Sequence, residues 1–380
     1  MNAKTFSRTD TSILSRWWWT VDRWVLAALL ALVLSGVVLS FAGSPAVADR
    51  FNLGGFYFVK RHILLLIPSV CVMFVFSLLS PRHIRRLAVL IYFVGIMALI
   101  FTIFYGTEIK GARRWFMIYG ISVQASEFVK PAFAVLAAWM LAEKANDNAF
   151  PGVSASLCLL GLFVVLLLSQ PDLGMTVIAV ATWIGILFVA GIRVFWLGLA
   201  GGIGLTGLLG TYLTFPHVRR RIDQFLSPDG TDSQHDLYQI HQSIEAFANG
   251  GFFGRGPGEG IVKKHLPDAH ADFIFAVAGE EFGLLLCLIL LGLFLFIILR
   301  SLARVVHDNS IFSILVTSGL LIQFGLQALI NMASSLHMIP TKGMTMPFIS
   351  YGGCSMLALA MAMGMVLALT RKRHGDTDWL

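Results

Sequence analysis

Apolar stretches too long for a soluble core constrain this chain most. A helix needs roughly 20 residues to cross a hydrocarbon layer of about 30 Å. Stretches approaching that length recur near residues 24–41, 62–79, 87–105, 128–141, 154–169, 175–190, 196–215, 282–299, 311–331 and 348–369. With 57% hydrophobic and 13% charged residues, the chain reads as an all-α polytopic membrane protein of about ten transmembrane helices. No segment alternates apolar and polar residues as barrel strands do, which leaves helices to satisfy the backbone in lipid.

Lys and Arg in the short loops set the expected orientation. Lys4, Arg8, Arg16 and Arg23 precede the first span, Arg82, Arg85 and Arg86 follow the second, and Arg371, Lys372 and Arg373 follow the last. An even number of spans puts all of them, and both termini, in the cytoplasm. Trp17, Trp18 and Trp19 read as an interfacial belt. Half of the 28 basic residues then lie on the other side, among them Lys110, Arg113, Arg114, Lys130, Lys263 and Lys342. Their presence there argues for an anionic ligand. Ala46-Val47-Ala48 looks like a signal-peptidase site, but its apolar run is too long for a signal peptide, so the first span reads as retained. Cys71, Cys158, Cys287 and Cys354 fall one to a span and read as small core residues, with neither disulfide nor metal spacing.

The chain is read as one domain over 1–380, with a cytoplasmic segment at 1–23, a tail at 370–380 and a large extracytoplasmic loop at 216–271 between spans seven and eight. A loop this long is usually functional or disordered. Leu237, Ile240, Ile244 and Phe247 recur at helical spacing within it and predict an amphipathic helix at the membrane surface or packed re-entrantly. In the following 250–260 segment glycine recurs nearly every second residue. No βαβ unit surrounds it, so a nucleotide fingerprint is excluded; tight turns and a phosphate-binding backbone nest both remain.

Charge gathers at the outer ends of the spans. At 266–283, Asp268, His270, Asp272, Glu280 and Glu281 precede or enter span eight, whose helix is expected to begin near Ala271 and so to place Asp272 in its first turn. Glu127 and Lys130 stand i, i+3 on one face, with Gln124 or Ser126 as cap. Asp172 reads as a turn former. Proline and glycine in 340–353 predict irregular backbone facing protein or a wet cavity. Gln323, Gln327 and Asn331 lie i, i+4, i+8 and read as hydrogen-bonding glue between helices. Together these groups describe a cation-rich cavity at headgroup level containing a carboxylate. It suits a polyprenyl pyrophosphate carrying a sugar, with the carboxylate as base and the cations on the leaving group.

In KGARRW, SEFVK, QPDLG, Tyr238-Gln239 with Ser243 and Ala246, LPDAHADFIFAVAGEEFG and PTKGMTMPFISYGG, the chain resembles the SEDS family (shape, elongation, division and sporulation proteins), and its last motif is closer to the FtsW than to the RodA branch. The resemblance covers nearly the whole chain and implies a peptidoglycan glycosyltransferase, joining lipid II into β-1,4 glycan strands with inversion during cell division in the bacterial inner membrane. It implies Asp272, in His270-Ala271-Asp272-Phe273, as general base, and a Glu127–Lys130 pair facing the central cavity. Glu127 and Lys130 are expected to bind substrate; charge and position add Arg113, Arg114, Lys342 and Ser350 as further substrate contacts, with His270, Glu280, Gln239 and Ser243 in support. Ala125, Ala271 and Cys354 depart from the family's usual proline, threonine and serine; the lost threonine hydroxyl puts any contact at that position in doubt.

The implied partners are lipid II, the undecaprenyl-pyrophosphate-linked glycan, a class B penicillin-binding protein, other division proteins and membrane lipids, with no nucleic acid. A divalent cation (Mg or Mn) at the pyrophosphate is chemically reasonable, though no ligand spacing demands one. A lipid II flippase and a non-catalytic division scaffold are the competing readings. A transporter would hold its decisive charges near the midplane on paired broken helices, and a scaffold leaves the convergent polar loops unexplained.

Overall fold

The computed structural model describes residues 12–371 except 51, 110–111, 119–120, 193, 215–218, 220–222, 224–233, 309 and 341–342. Each of the ten apolar runs falls mainly within a helix, the last of them only from Gly353 onward. In chain order the elements are α1 (Ile13–Thr20), α2 (Arg23–Arg50), α3 (Tyr57–Ser77), α4 (Pro81–Tyr105), β1 (Thr107–Ile109), β2 (Ala112–Ile118), β3 (Ile121–Val123), α5 (Ala125–Asn146), α6 (Gly152–Ser169), α7 (Leu173–Val189), α8 (Val194–Thr214), α9 (Gln234–Gly250), a 3-10 turn (Val262–Lys264), α10 (Ile274–Val305), α11 (Ile311–Ser335) and α12 (Gly353–Leu369). Among the described residues seven of these helices are long and apolar enough to cross a membrane, and α7 and α12 are shorter apolar helices. The protein is a multi-pass membrane protein.

The core is centred on α5, which packs against α4, α6, α7, α11 and α12. Its small residues, Ala132, Ala134, Ala137 and Ala138, let neighbouring helices approach on every side. This central position takes Glu127 and Lys130 into the interior, and α5 is correspondingly the least apolar of the long helices. Neither proposed cap operates: Gln124 is the N-cap, but its Nε2 donates to Asp172 Oδ2 at 3.4 Å rather than its side chain capping the helix, and Ser126 Oγ is buried without a partner.

Several local features depart from the sequence reading. Residues 107–123 form a small antiparallel sheet in the order β1-β2-β3. Ahead of the first span, α1 is capped by Ser12, whose side chain accepts from Ser15 N. Trp17 is not part of an interfacial belt: it is buried, donates to Ser77 Oγ at 2.8 Å and meets Phe74 edge-on. Trp18 and Trp19 do face outward, under the Arg23 guanidinium. Cys71 and Cys158 are exposed on the outer helix faces, and only Cys287 and Cys354 are core residues.

The greatest departure is in α10, expected to run unbroken through 282–299. Gly283 adopts φ 72°, ψ −172° and divides it. A broken helix frees backbone groups that must find partners in a membrane interior, and here the glycine-rich loop supplies them. Leu284 N and Leu285 N donate to Gly251 O (3.0 Å) and Phe252 O (3.2 Å), while Arg255 N and Gly256 N donate to Glu280 O and Glu281 O at 3.0 Å each. The recurring glycines answer to this splice, because Gly251, Gly254, Gly256 and Gly258 all have positive φ.

Candidate functional site

The predicted amphipathic helix is α9, and its inward face is made of small residues. Ser243, Ala246 and Gly250 are buried, whereas Ile244 faces outward. Phe247 packs on Phe275 and over Gly279, where an added Cβ would collide with its ring. Ser243 Oγ donates to Ser335 O at 2.6 Å and Ser335 Oγ to Asn331 O at 3.0 Å, so α9 is fastened to the end of α11. Gln239 lies one turn earlier on α9 and is half-buried. The side chains of Leu237 and Ile240 lie outside the described residues.

Asp272 does not sit in a helix. The chain from 267 to 273 folds into turns, with Asp268 at φ 52° and its carbonyl accepting from Ala271 N (2.9 Å) and Asp272 N (3.1 Å). The helix begins at Ile274, two residues after Asp272. Asp268 thus has a definite structural part, as the residue whose carbonyl gathers the turn. Asp272 is half-buried, and the loop before α12 passes over it: a Cβ added at Gly343 would meet Asp272 Oδ2 at 3.0 Å. Asn331 Nδ2 joins the two strands of chain, donating to Asp272 O at 3.0 Å and Met344 O at 2.6 Å. Lys342 lies beside this loop in sequence but outside the described residues.

A continuous polar chain leads from here into the bundle. Thr345 O and Ser355 Oγ each accept from Gln327 Nε2 at 3.0 Å, and Thr345 Oγ1 donates to Ser355 Oγ at 2.7 Å. Gln327 Oε1 accepts from Lys130 Nζ at 3.0 Å, and Lys130 Nζ stands 2.8 Å from Glu127 Oε2. That last contact is an ion pair without hydrogen-bond alignment, since Oε2 has no aligned donor. Gln323 Nε2 donates to Lys130 O at 2.8 Å. The three α11 amides were read as glue between helices. Gln323 and Gln327 both fill that role, on α5 and, for Gln327, on Ser355 of α12 as well, while Gln327 and Asn331 also hold the loop at Met344 and Thr345.

Glu280 and Glu281 are not cavity-lining groups. Glu280 is wholly buried, and its carboxylate accepts from the backbone N–H groups of Ile261 (2.7 Å), Val262 (2.7 Å) and Lys263 (2.9 Å). Three N–H groups converging on one carboxylate form an anion nest. Glu281 pairs with buried Lys263, whose Nζ also donates to Ala42 O at 3.1 Å. Lys263, read from sequence only as one of the outer cations, is therefore the tie between α2, α10 and the loop.

The remaining predicted residues separate. His270 packs its ring on Phe58 (4.2 Å) and Tyr351 (5.5 Å), and its carbonyl accepts from Tyr351 N at 3.1 Å. Burial holds its imidazole below the ordinary range, with the Asp268 charge opposing in part. Ser350 Oγ is buried and accepts from Met346 N at 2.8 Å, bracing a turn. Arg113 and Arg114 are neighbours on β2, and adjacent strand residues point to opposite faces. Arg113 is exposed and reaches Glu108 at 3.4 Å. Arg114 reaches across to the α6–α7 turn, where its Nε donates to Gln170 O at 3.1 Å and its guanidinium also meets Pro171 O and Asp172. Asp172 caps α7 by accepting from Met175 N at 3.3 Å. Among the described residues no three His, Cys, Asp or Glu side chains converge as metal ligands.

These features define a multi-pass helical membrane protein with a buried polar chain running from a helix-borne ion pair to a loop-borne aspartate at one end of the bundle. The family described as cell cycle protein (FtsW, RodA, SpoVE) matches residues 22–375, and the chain belongs to that family. A protein of Caulobacter vibrioides (strain NA1000 / CB15N) named probable peptidoglycan glycosyltransferase FtsW is 47% identical over 371 residues, covering 97% of this chain and 94% of its own. A Coxiella burnetii (strain RSA 493 / Nine Mile phase I) protein of the same name is 32% identical over 364 residues, covering 92% and 96%. Among solved structures, a chain described under the structural coordination of polymerization and crosslinking by a peptidoglycan synthase complex superposes with TM-score 0.76 at 27% identity, covering 94% of this chain and 99% of that one. The Thermus thermophilus rod shape determining protein RodA superposes with TM-score 0.65 at 25% identity, with the same coverages.

Proposed function

We propose that the chain is a peptidoglycan glycosyltransferase that polymerises lipid II at the outer face of the bacterial cytoplasmic membrane during cell division. Both termini are then cytoplasmic, and the Asp272 end faces the periplasm. The observation that carries the reading is the placement of Asp272. It is a half-buried carboxylate at one end of the bundle, outside the helix, with its backbone held by Asn331 to a loop that passes over it. The relatives' names and the position of the basic residues support the same reading.

In this mechanism the acceptor sugar's 4-hydroxyl attacks the anomeric carbon of the donor. The new C–O bond forms as the bond from that carbon to the pyrophosphate breaks on the opposite face, inverting the configuration. Asp272 takes the hydroxyl proton, and the polyprenyl pyrophosphate leaves with the bonding electrons. A base positioned in this way contributes about 10²–10⁴-fold. Lys342 and Arg113 are the cations proposed to meet the pyrophosphate; Arg114 is more engaged, by the carbonyls of the α6–α7 turn and by Asp172. Gln327 holds the loop from below and is itself held by Lys130, which pairs with Glu127.

A class B penicillin-binding protein is the proposed partner. The test is reconstitution of the full chain with that partner in vesicles carrying lipid II. Polymer on a gel supports the polymerase, whereas transfer of lipid II between leaflets without polymer replaces it with a flippase.

A further inference from the structure

The end of the bundle opposite Asp272 carries a charged cavity. α5 has 22 residues and is about 33 Å long at about 1.5 Å per residue. Glu127 lies near its start, and Trp139 and Glu143 lie towards its other end. There Arg82, Arg85, Arg86 and Val89, at i, i+3, i+4 and i+7 on α4, join Trp139 to line an open cavity of about 220 Å³.

The cavity is strongly cationic. Arg85 lies over the rings of Phe312 (4.5 Å) and Trp139 (5.9 Å). Its ion-pair partner Glu143 stands 3.9 Å away and is also held by Trp139 Nε1 at 2.9 Å. Arg85 Nε is buried without a hydrogen-bond partner. Arg82 and Arg86 are exposed. The first turn of α4 contains no acidic residue, so these cations sit at the end of the helix dipole that repels them and attracts anions. From the cavity an exposed apolar stripe runs along α4 through Leu90, Phe93, Val94, Met97 and Phe101.

We propose that this cavity binds the phosphodiester headgroup of an anionic glycerophospholipid, with the acyl chains lying along the α4 stripe. Guanidinium groups match phosphate in a bidentate way that ammonium groups do not, and basic pockets between helices suit anionic headgroups. The apolar stripe favours a lipid over a soluble phosphate, because it begins at the cavity and follows the path the acyl chains would take. The inference requires only that the bundle lies in a bilayer, so it stands apart from the polymerase reading.

The plain alternative is that the arginines serve only to orient the chain, in which case lysine would do as well. The test is native mass spectrometry of the full-length protein from nanodiscs of phosphatidylglycerol mixed with phosphatidylcholine. The wild type should retain phosphatidylglycerol about tenfold over phosphatidylcholine, and each of Arg82→Gln, Arg85→Gln and Arg86→Gln should lower retention about fivefold. Arg85→Lys, which keeps the charge, should still lose retention.

A photoreactive phosphatidylglycerol bound to the wild type should mark Val89 or Trp139, a measurement that needs no variant to fold. Equal retention of the two lipids, full retention by Arg85→Lys, or labelling only elsewhere would overturn the site. Glycerol phosphate competing as strongly as the intact lipid would overturn the lipid assignment in favour of a soluble anion.

Discussion

Replacing Glu280 with Gln should release the loop at 261–263 while leaving the bundle folded. The carboxylate is wholly buried and accepts three backbone N–H groups at 2.7, 2.7 and 2.9 Å. Bonds to a charged group contribute about 1.5–3 kcal/mol each. The three together are an upper value of roughly 5–9 kcal/mol, which the desolvation of a buried carboxylate, itself several kcal/mol, partly offsets. In the amide, one oxygen can still accept from Ile261 and Val262, but as a neutral group of about half the strength. The other position becomes an NH₂ facing Lys263 N–H, and one buried donor left unpaired costs about 1–3 kcal/mol.

The expected loss is about 3–4 kcal/mol, or roughly 10²–10³-fold in the opening equilibrium of the loop. Hydrogen exchange by mass spectrometry in detergent reads this at the 261–263 amides. Glu259→Gln, at an exposed carboxylate of the same loop, is the control. Unchanged protection at 261–263 in Glu280→Gln, or an equal loss in Glu259→Gln, would refute the nest as the fastening.

Three further outcomes are expected. Gly283→Ala should lower the melting temperature in detergent and expose the Leu284 and Leu285 amides to exchange, because a side chain at φ 72° costs about 1–3 kcal/mol and the added Cβ meets Phe252 O and Gly254 N. Asn331→Ala should cut the polymerisation rate about tenfold by freeing the backbone of Asp272 and Met344. Asn331→Asp should also move the acidic limb of the pH–rate profile to higher pH, because a second carboxylate beside Asp272 disfavours its ionised form; an unmoved limb would rule out the positioning role. His270 binds a proton less readily folded than unfolded, its ordinary value being 6.5. Its contribution is full above that value and is lost as pH falls towards the depressed folded one. The melting temperature should therefore fall between about pH 7 and pH 5, and His270→Phe should remove part of that fall.

The sequence revealed what depends on local periodicity. Apolar runs of near-spanning length identify α2 to α8 and α10 to α12, and the spacing around Phe247 identifies α9. It also located Asp272, the Glu127–Lys130 pair and the irregular loop before α12. What it missed depends on partners distant in the chain. Glu280 reads as a membrane carboxylate until the N–H groups of 261–263, nearly twenty residues earlier, are seen to converge on it. Gly283 reads as a tolerated glycine in an apolar run, and only the insertion of 251–256 shows that it breaks the helix. Asn331 carries no local sign of binding Asp272 and Met344. Trp17 looked like its two exposed neighbours because nothing in sequence pointed to Ser77.

Polymerisation of lipid II by the purified full chain with its class B partner, measured beside Asp272→Asn at matched melting temperature, tests the central claim most directly. The account predicts glycan strands from the wild type and a rate lower by about 10²-fold or more in the variant, from loss of the base alone. Strands formed by Asp272→Asn at the wild-type rate would contradict it.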